Sequence, residues 1–324
     1  MKRNRHMKAA VIGAGYLGRF HAQKYAAMEE VDLLAVVDVD EERSRLVAEE
    51  VGSTAYSRIE DIPEKIDLAS VVVPTTLHHE VARNLLQKGV HILLEKPMTT
   101  TRQEAVELID LAEKKGLVLQ VGHLERFNPA IVTLEKRVTE PLFIEGHRLS
   151  GFKPRATDVD VVLDLMIHDI DIVLSLVKAP VKEIRAAGVP VLTPRIDIAN
   201  VRLIFENGCT ANLTASRISL KDLRRIRVFQ SGCYISADCS QRNNLIVTAD
   251  RSASNTFSSM KPEFLTHEKV DILDLELRDF VRCVRQGLIP KVDGSAGLRA
   301  LSLALDINEA ISQGLESSGI SNVL

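Results

Sequence analysis

The chain has 324 residues, too many for one ordinary core and suited to two domains. Hydrophobic residues make up 45% and charged residues 26%, a globular balance, and a net charge of -3 supplies no basic field for nucleic acid. The four cysteines, Cys209, Cys233, Cys239 and Cys283, form no C-x-x-C pair, which disfavours structural zinc and a dithiol centre. No apolar run reaches the roughly 18 to 20 residues that span a bilayer. Residues 1–8 are basic but lack a signal peptide's apolar stretch, so the expected location is the cytoplasm, with Met1 or Met7 as the start.

Strands are expected at residues 9–12, 33–37, 68–73, 90–94 and 117–121, separated by helices including 18–28 and 102–115. Largely apolar strands alternating with helices predict a parallel α/β sheet covered on both faces. The second half reads as strands at 143–150, 183–191, 199–205, 210–216, 225–229, 234–238 and 245–249, interrupted by one helix over 159–177. Two helices, 269–286 and 297–313, close the chain. The expected organisation is a dinucleotide-binding domain over 1–124 and a substrate-binding and oligomerisation domain over 125–324. The last helix is expected to pack back on the first domain.

The first strand runs into Gly13-Ala14-Gly15-Tyr16-Leu17-Gly18, and Asp38 follows 20 residues beyond Gly18 at the end of the second strand. A G-x-G-x-x-G between strand and helix, with an acid at that distance, is the dinucleotide-binding pattern. Gly13 permits the turn, Gly15 lets the backbone approach a pyrophosphate, and Gly18 lets helix and strand close up. Asp38 would accept from ribose hydroxyls and repel a 2'-phosphate, favouring NAD over NADP. The alternative is an ordinary turn, with Asp38 capping the next helix.

Ligands of open α/β sheets bind at the carboxyl ends of strands. Tyr16 and Leu17, then Pro74, Thr75 and His78 after the third strand, and Glu95 with Lys96 after the fourth are therefore expected cofactor contacts. Lys96 stands directly before Pro97, in a turn that a cis peptide would suit. In the apolar helix around residue 164, Asp164 and His168 lie four apart and share a face that Asp171 and Ser175 extend. A polar seam on an otherwise apolar helix must line a cleft, a network or an interface. Lys96, Asp164 and His168 are the catalytic candidates, with His168 able to titrate near neutrality. The same three, with His123, Arg126, Asn128, Lys153 and Arg155, are candidate substrate contacts. For Lys153 and Arg155 solvated loop charge is an equal alternative, and Asn128 before Pro129 also reads as a helix cap. No compact ligand motif calls for a metal.

The glycine loop, Pro74-Thr75-Thr76-Leu77-His78, Glu95-Lys96-Pro97, the Asp164–His168 pair and the segment 293–300 together resemble the glucose–fructose oxidoreductase / inositol dehydrogenase (Gfo/Idh/MocA) family over essentially the whole chain. The resemblance implies NAD as cofactor and a second domain with an open, predominantly antiparallel sheet that builds homodimers or homotetramers. It places the family's catalytic lysine on Lys96, its aspartate on Asp164 and its histidine on His168. Residues 122–130 and 161–171 look most like bacterial dehydrogenases that oxidise the 3-hydroxyl of UDP-N-acetylglucosamine or its uronic acid. Related members act on free sugars, inositols or dihydrodiols, and some use NAD transiently to cleave glycosides. A non-catalytic NAD-binding regulator is a further alternative. The expected partner is a small sugar or nucleotide sugar, with neither nucleic acid nor membrane.

Overall fold

The structure is a computed structural model, and it describes residues 6–152, 159–250, 252 and 259–317. The candidates Lys153 and Arg155 lie outside the described residues. The chain divides into two compact units: residues 1–124 with 271–298, and residues 125–270 with 299–324.

In the first unit, β1 (Met7–Ile12), α1 (Tyr16–Ala26), β2 (Val31–Val37), α2 (Glu41–Val51), β3 (Thr54–Tyr56), β4 (Leu68–Val71), α3 (His78–Gln87), β5 (His91–Glu95), α4 (Arg102–Lys115) and β6 (Leu119–Gly122) follow in order. All pairings are parallel and the strand order is β3-β2-β1-β4-β5-β6. That order reverses direction at β1 and β4, which creates the crevice where dinucleotides bind in such sheets. Local chemistry starts and stops the helices. Thr101 and Glu104 close a reciprocal capping box on α4, satisfying two otherwise orphaned N–H groups.

The second unit begins with α5 (Pro129–Arg137), whose first turn is capped by the Asn128 side chain accepting from the Ala130 N–H. After β7 (Pro141–Leu149) comes a π-helical turn over Val162–Met166, running directly into α6 (Ile167–Leu176). The expected uninterrupted helix over 159–177 is therefore broken in character: the Ile167 N–H reaches the Val162 carbonyl five residues back. Seven more strands follow: β8 (Val181–Val189), β9 (Ile198–Phe205), β10 (Thr210–Ser216), β11 (Leu223–Gln230), β12 (Cys233–Asp238), β13 (Asn243–Thr248) and β14 (Lys261–Thr266). They join β7 in the order β14-β13-β12-β11-β7-β10-β9-β8. Only β7 and β10 pair in parallel; the other pairings are antiparallel. The inward residues of β9 and β10, among them Val201, Leu203, Ala211 and Leu213, pack with Ile167, Ile170 and Val173 of α6 in one apolar core.

The chain then returns. Helix α7 (Ile272–Gln286) belongs to the first unit, where Leu273, Leu277, Phe280 and Val281 join the core of Tyr25, Ala22 and Leu93. Only the first turn of α8 (Gly294–Ser317) belongs there as well. The body of that last helix, including Ala300, Leu303, Ala304, Ile307 and Ile311, lies in the core of the second unit. This differs from the expectation that the final helix packs on the first domain: the apolar face of α7 is the one that returns.

Candidate active site

The glycine loop has the shape its sequence predicts. Gly13 has φ +99°, and a Cβ there would stand 2.5 Å from the Val72 carbonyl oxygen, so both backbone angle and space require glycine. A Cβ on Gly18 would meet the Gly13 oxygen at 1.8 Å, whereas one on Gly15 would meet nothing within 4 Å. Two glycines thus close the loop against the sheet, and the third faces open space where a pyrophosphate can approach the backbone. Alongside is a cavity of about 670 Å³ lined by Gly13, Gly15, Asp38, Arg43, Pro74 and Leu77, among others. Leu17 is half-buried and Tyr16 is 74% exposed on the loop.

Asp38 sits at the mouth of this loop. One carboxylate oxygen accepts from the Ala14 N–H at 2.7 Å; the other accepts from the Asp40 N–H at 3.0 Å and from Arg43 at 3.2 Å. The acid is thereby fixed beside the loop, ready to meet ribose hydroxyls, and the cradle fits an NAD molecule. Arg43 was not foreseen: it is a first-turn residue of α2 with no motif to mark it, and only the folded geometry brings it to Asp38.

At the carboxyl ends of β4 and β5, His78 and Glu95 are turned into the protein. His78 is 1% exposed, and its two ring nitrogens lie 2.9 Å from the carbonyl oxygens of Pro97 and Val73. It ties the loop after β4 to the turn after β5. Burial pushes its imidazole below the usual histidine range, although both carbonyls pull the other way. Glu95 is likewise buried, with His21 Nε2 3.3 Å from its carboxylate and the Lys96 N–H donating to it at 3.2 Å. Burial alone would raise this carboxyl, but His21 and Lys96 outweigh it and hold it below the usual range. The side chains of both residues, expected as cofactor contacts, are engaged in holding the turn that carries Lys96. The Lys96–Pro97 peptide is cis, and the Lys96 side chain is half-buried. His123, just beyond β6, is 1% exposed.

In the second unit, Asp164 lies within the π-helical turn with its side chain 24% exposed, and His168 follows in the first turn of α6 at 9% exposure. Arg217, at the end of β10, brings a guanidinium nitrogen to 4.0 Å from Asp164, donates to the Val159 carbonyl at 2.7 Å and stands 4.0 Å from Asp197. Arg217 is 5% exposed. No neighbour in the chain distinguishes it, since its partners come from segments 20 to 58 residues away.

The other polar residues of α6 are structural. Asp169 pairs with Arg148 at 2.7 Å, and Arg148 also reaches Glu125 at 3.1 Å, all three at 4% exposure or less. Burial would raise Glu125, but Arg148 and Arg224 hold it below the usual carboxylate range. Arg126, expected at the substrate, donates to Glu135 at 2.6 Å and lies 3.4 Å from Asp171, so its charge is matched inside the unit. Asn128, besides capping α5, donates to Glu125 and to the Cys239 carbonyl. Its amide is spent on structure, which favours the capping alternative over sugar recognition.

Residues 7–123 match the oxidoreductase family with an NAD-binding Rossmann fold, and residues 137–235 match the GFO/IDH/MocA C-terminal domain. The UDP-N-acetylglucosamine 3-dehydrogenase of Acidithiobacillus ferrooxidans is 39% identical over 309 residues, covering 94% of this chain and 97% of that protein. Its solved structure superposes with a TM-score of 0.88 over 94% of this chain and 98% of its own. The myo-inositol 2-dehydrogenase of Thermotoga maritima is 26% identical over 95% of this chain and 97% of its own. Levoglucosan dehydrogenase, solved with NADH and levoglucosan, shares the fold at a TM-score of 0.86, 17% identity and coverage of 95% and 98%. With its glycine cradle, Asp38 and matched C-terminal domain, the chain belongs to the Gfo/Idh/MocA family of NAD-dependent oxidoreductases.

Proposed function

We propose that the chain oxidises the 3-hydroxyl of a UDP-N-acetylhexosamine, or of the corresponding uronic acid, to a ketone. The observation that carries this reading is the 39% identity to a UDP-N-acetylglucosamine 3-dehydrogenase across nearly both full lengths. Lys96, Asp164 and His168, the three side chains that the family resemblance marks as reactive, support it.

Bound NAD supplies the acceptor for the carbinol hydride. Gly13, Gly15, Gly18 and Asp38 hold the dinucleotide, with Pro74 and Thr75 at the neighbouring strand end. His168 takes the hydroxyl proton, and Asp164, steadied by Arg217, orients the ring. Lys96 donates a hydrogen bond to the reacting oxygen and stabilises the charge that develops on it. Lys96 and His168 can exchange these roles, since either relays a proton. Assembly as a homodimer or homotetramer through the second sheet and a cytoplasmic location complete the reading; native mass spectrometry checks the assembly. Among the described residues no helix is long and apolar enough to cross a membrane.

The test is incubation of the purified protein and NAD with UDP-N-acetylglucosamine, its uronic acid, myo-inositol and glucose. NADH is followed by absorbance and the sugars by mass spectrometry. A UDP-sugar product lighter by two hydrogens, formed with stoichiometric NADH, is expected; turnover confined to inositol or glucose rejects the substrate class. Cleavage without NADH accumulation would point to a glycosidase instead. Lys96→Met should lower kcat by about 10²- to 10⁴-fold while NAD affinity holds. Unchanged kcat in that variant would remove Lys96 from the chemistry.

A further inference from the structure

A buried polar chain runs from the Lys96 turn into the core of the first unit. His21 and Tyr25 lie four residues apart on α1 and so face the same side, towards β4. Ser70 interrupts the apolar run of that strand. All three side chains are fully buried. Tyr25 Oη is 2.9 Å from Ser70 Oγ, Ser70 Oγ is 3.0 Å from His21 Nδ1, and His21 Nε2 is 3.3 Å from Glu95 Oε1. The other oxygen of Glu95 accepts the Lys96 N–H. A Cβ on Gly122 would stand 2.8 Å from Glu95 Oε1, so the glycine of the neighbouring strand leaves room for the carboxylate.

A carboxylate only accepts, so the ring nitrogen facing it must carry a proton. One ordering then satisfies the chain with a neutral imidazole. Tyr25 donates to Ser70, Ser70 donates to His21 Nδ1, and the protonated His21 Nε2 stands 3.3 Å from Glu95 Oε1, an electrostatic contact longer than the two hydrogen bonds before it. Each bond polarises the next in the same direction. Nothing in this chain lines the glycine-loop cavity, and taking the Glu95 carboxylate out of water is costly even with His21 and the Lys96 N–H beside it.

We infer that His21 is a positioning residue for Lys96: held in one tautomer by Ser70 and Tyr25, it anchors the Glu95 carboxylate, which in turn fixes the main chain at Lys96. The inference rests on Lys96 being the reactive lysine of the proposed function. Misplacing a reacting group by about 1 Å can cost on the order of 100-fold in rate. His21→Leu should therefore lower kcat by about 10- to 100-fold while the KM for NAD stays within about threefold. In His21→Gln the amide can accept from Ser70 and donate to Glu95, so activity should return to within about threefold of the natural enzyme.

Hydrogen–deuterium exchange of the peptide spanning residues 94–99 supplies a readout independent of any sugar. His21→Leu should accelerate exchange there, His21→Gln should restore it, and a peptide from the middle of α4 should be unaffected in both. Unchanged exchange in His21→Leu, or faster exchange with unchanged kcat, overturns the inference, as does an equal loss in the Leu and Gln variants. If His21→Leu does not fold, Ser70→Ala decides by the same measurements, with unchanged values again overturning it. Should the natural protein turn over no sugar, the proposed function falls and the exchange data alone decide the role of His21.

Discussion

Asp38 carries more than the ribose contact that its spacing predicts. Its carboxylate already accepts from Ala14, Asp40 and Arg43, so removing it leaves a loop N–H without its acceptor and releases a guanidinium beside the cavity. Hydrogen bonds to a charged group contribute about 1.5–3 kcal/mol each. Asp38→Ala should therefore raise the KM for NAD by roughly 10- to 100-fold and, with Arg43 freed, improve kcat/KM for NADP. A comparison of kcat/KM for the two cofactors checks this; an unaltered ratio would dismiss both residues from cofactor choice. Asp38 was legible in the sequence because a short βαβ unit fixes its distance from the glycine loop. Arg217 and Arg148 were not, because their carboxylates come from distant segments and no local spacing announces the meeting. Arg126 meets Glu135 and Asp171, and Asn128 meets Glu125 and the Cys239 carbonyl, pairings that no sequence pattern announced.

The helix α6 is the most heavily charged buried element, and its stability depends on pairing. Arg148 serves both Asp169 and Glu125. Arg148→Met would strand two buried carboxylates, and breaking a buried pair by removing one partner typically costs about 3–5 kcal/mol. A clear fall in melting temperature is expected by calorimetry, and an unchanged value would mean that water or Arg224 takes over. The cap of α4 is a milder test: Thr101→Ala should cost about 1 kcal/mol, read as a shift in denaturant midpoint. Most elements were legible from periodicity, the central strands of the first sheet above all, because they are apolar on both faces. Strand β3 was not, being three residues long. Strand β14 was not either: it is an edge strand containing Pro262 and exposed at most positions, so it shows no alternation to read. The π-helical turn left no trace in a pattern that fits an ordinary helix.

At the scale of the whole molecule, the chain visits its first unit twice, and the second visit contributes Phe280 to that unit's core. Sequence order hid this, because the amphipathic face of α7 states that it must be covered without stating by what. The two units also share a response to acid. Burial lowers His78 and His91 below their ordinary value of 6.5. A depressed folded-state value means that the unfolded chain binds protons first, so stability present above that ordinary value is lost as pH falls beneath it. Glu95 and Glu125, held below their ordinary 4.5, extend the same loss to lower pH. The melting temperature should accordingly begin to drop between about pH 7 and pH 5, before the carboxylates titrate; a flat profile over that interval would mean that the buried histidines are protonated in the folded protein. Finally, the five-residue π-helical turn makes the number of residues between Val161 and Ile167 as consequential as their identity. Each residue of a regular helix advances the side chains by roughly 100°. Deleting one residue from this stretch would let the helix relax to ordinary winding and rotate the chain before the turn relative to α6, moving the Val159 carbonyl that holds Arg217, with no reactive side chain altered. Loss of activity in this protein can therefore arise from a single-codon deletion that an inventory of active-site residues would pass as intact.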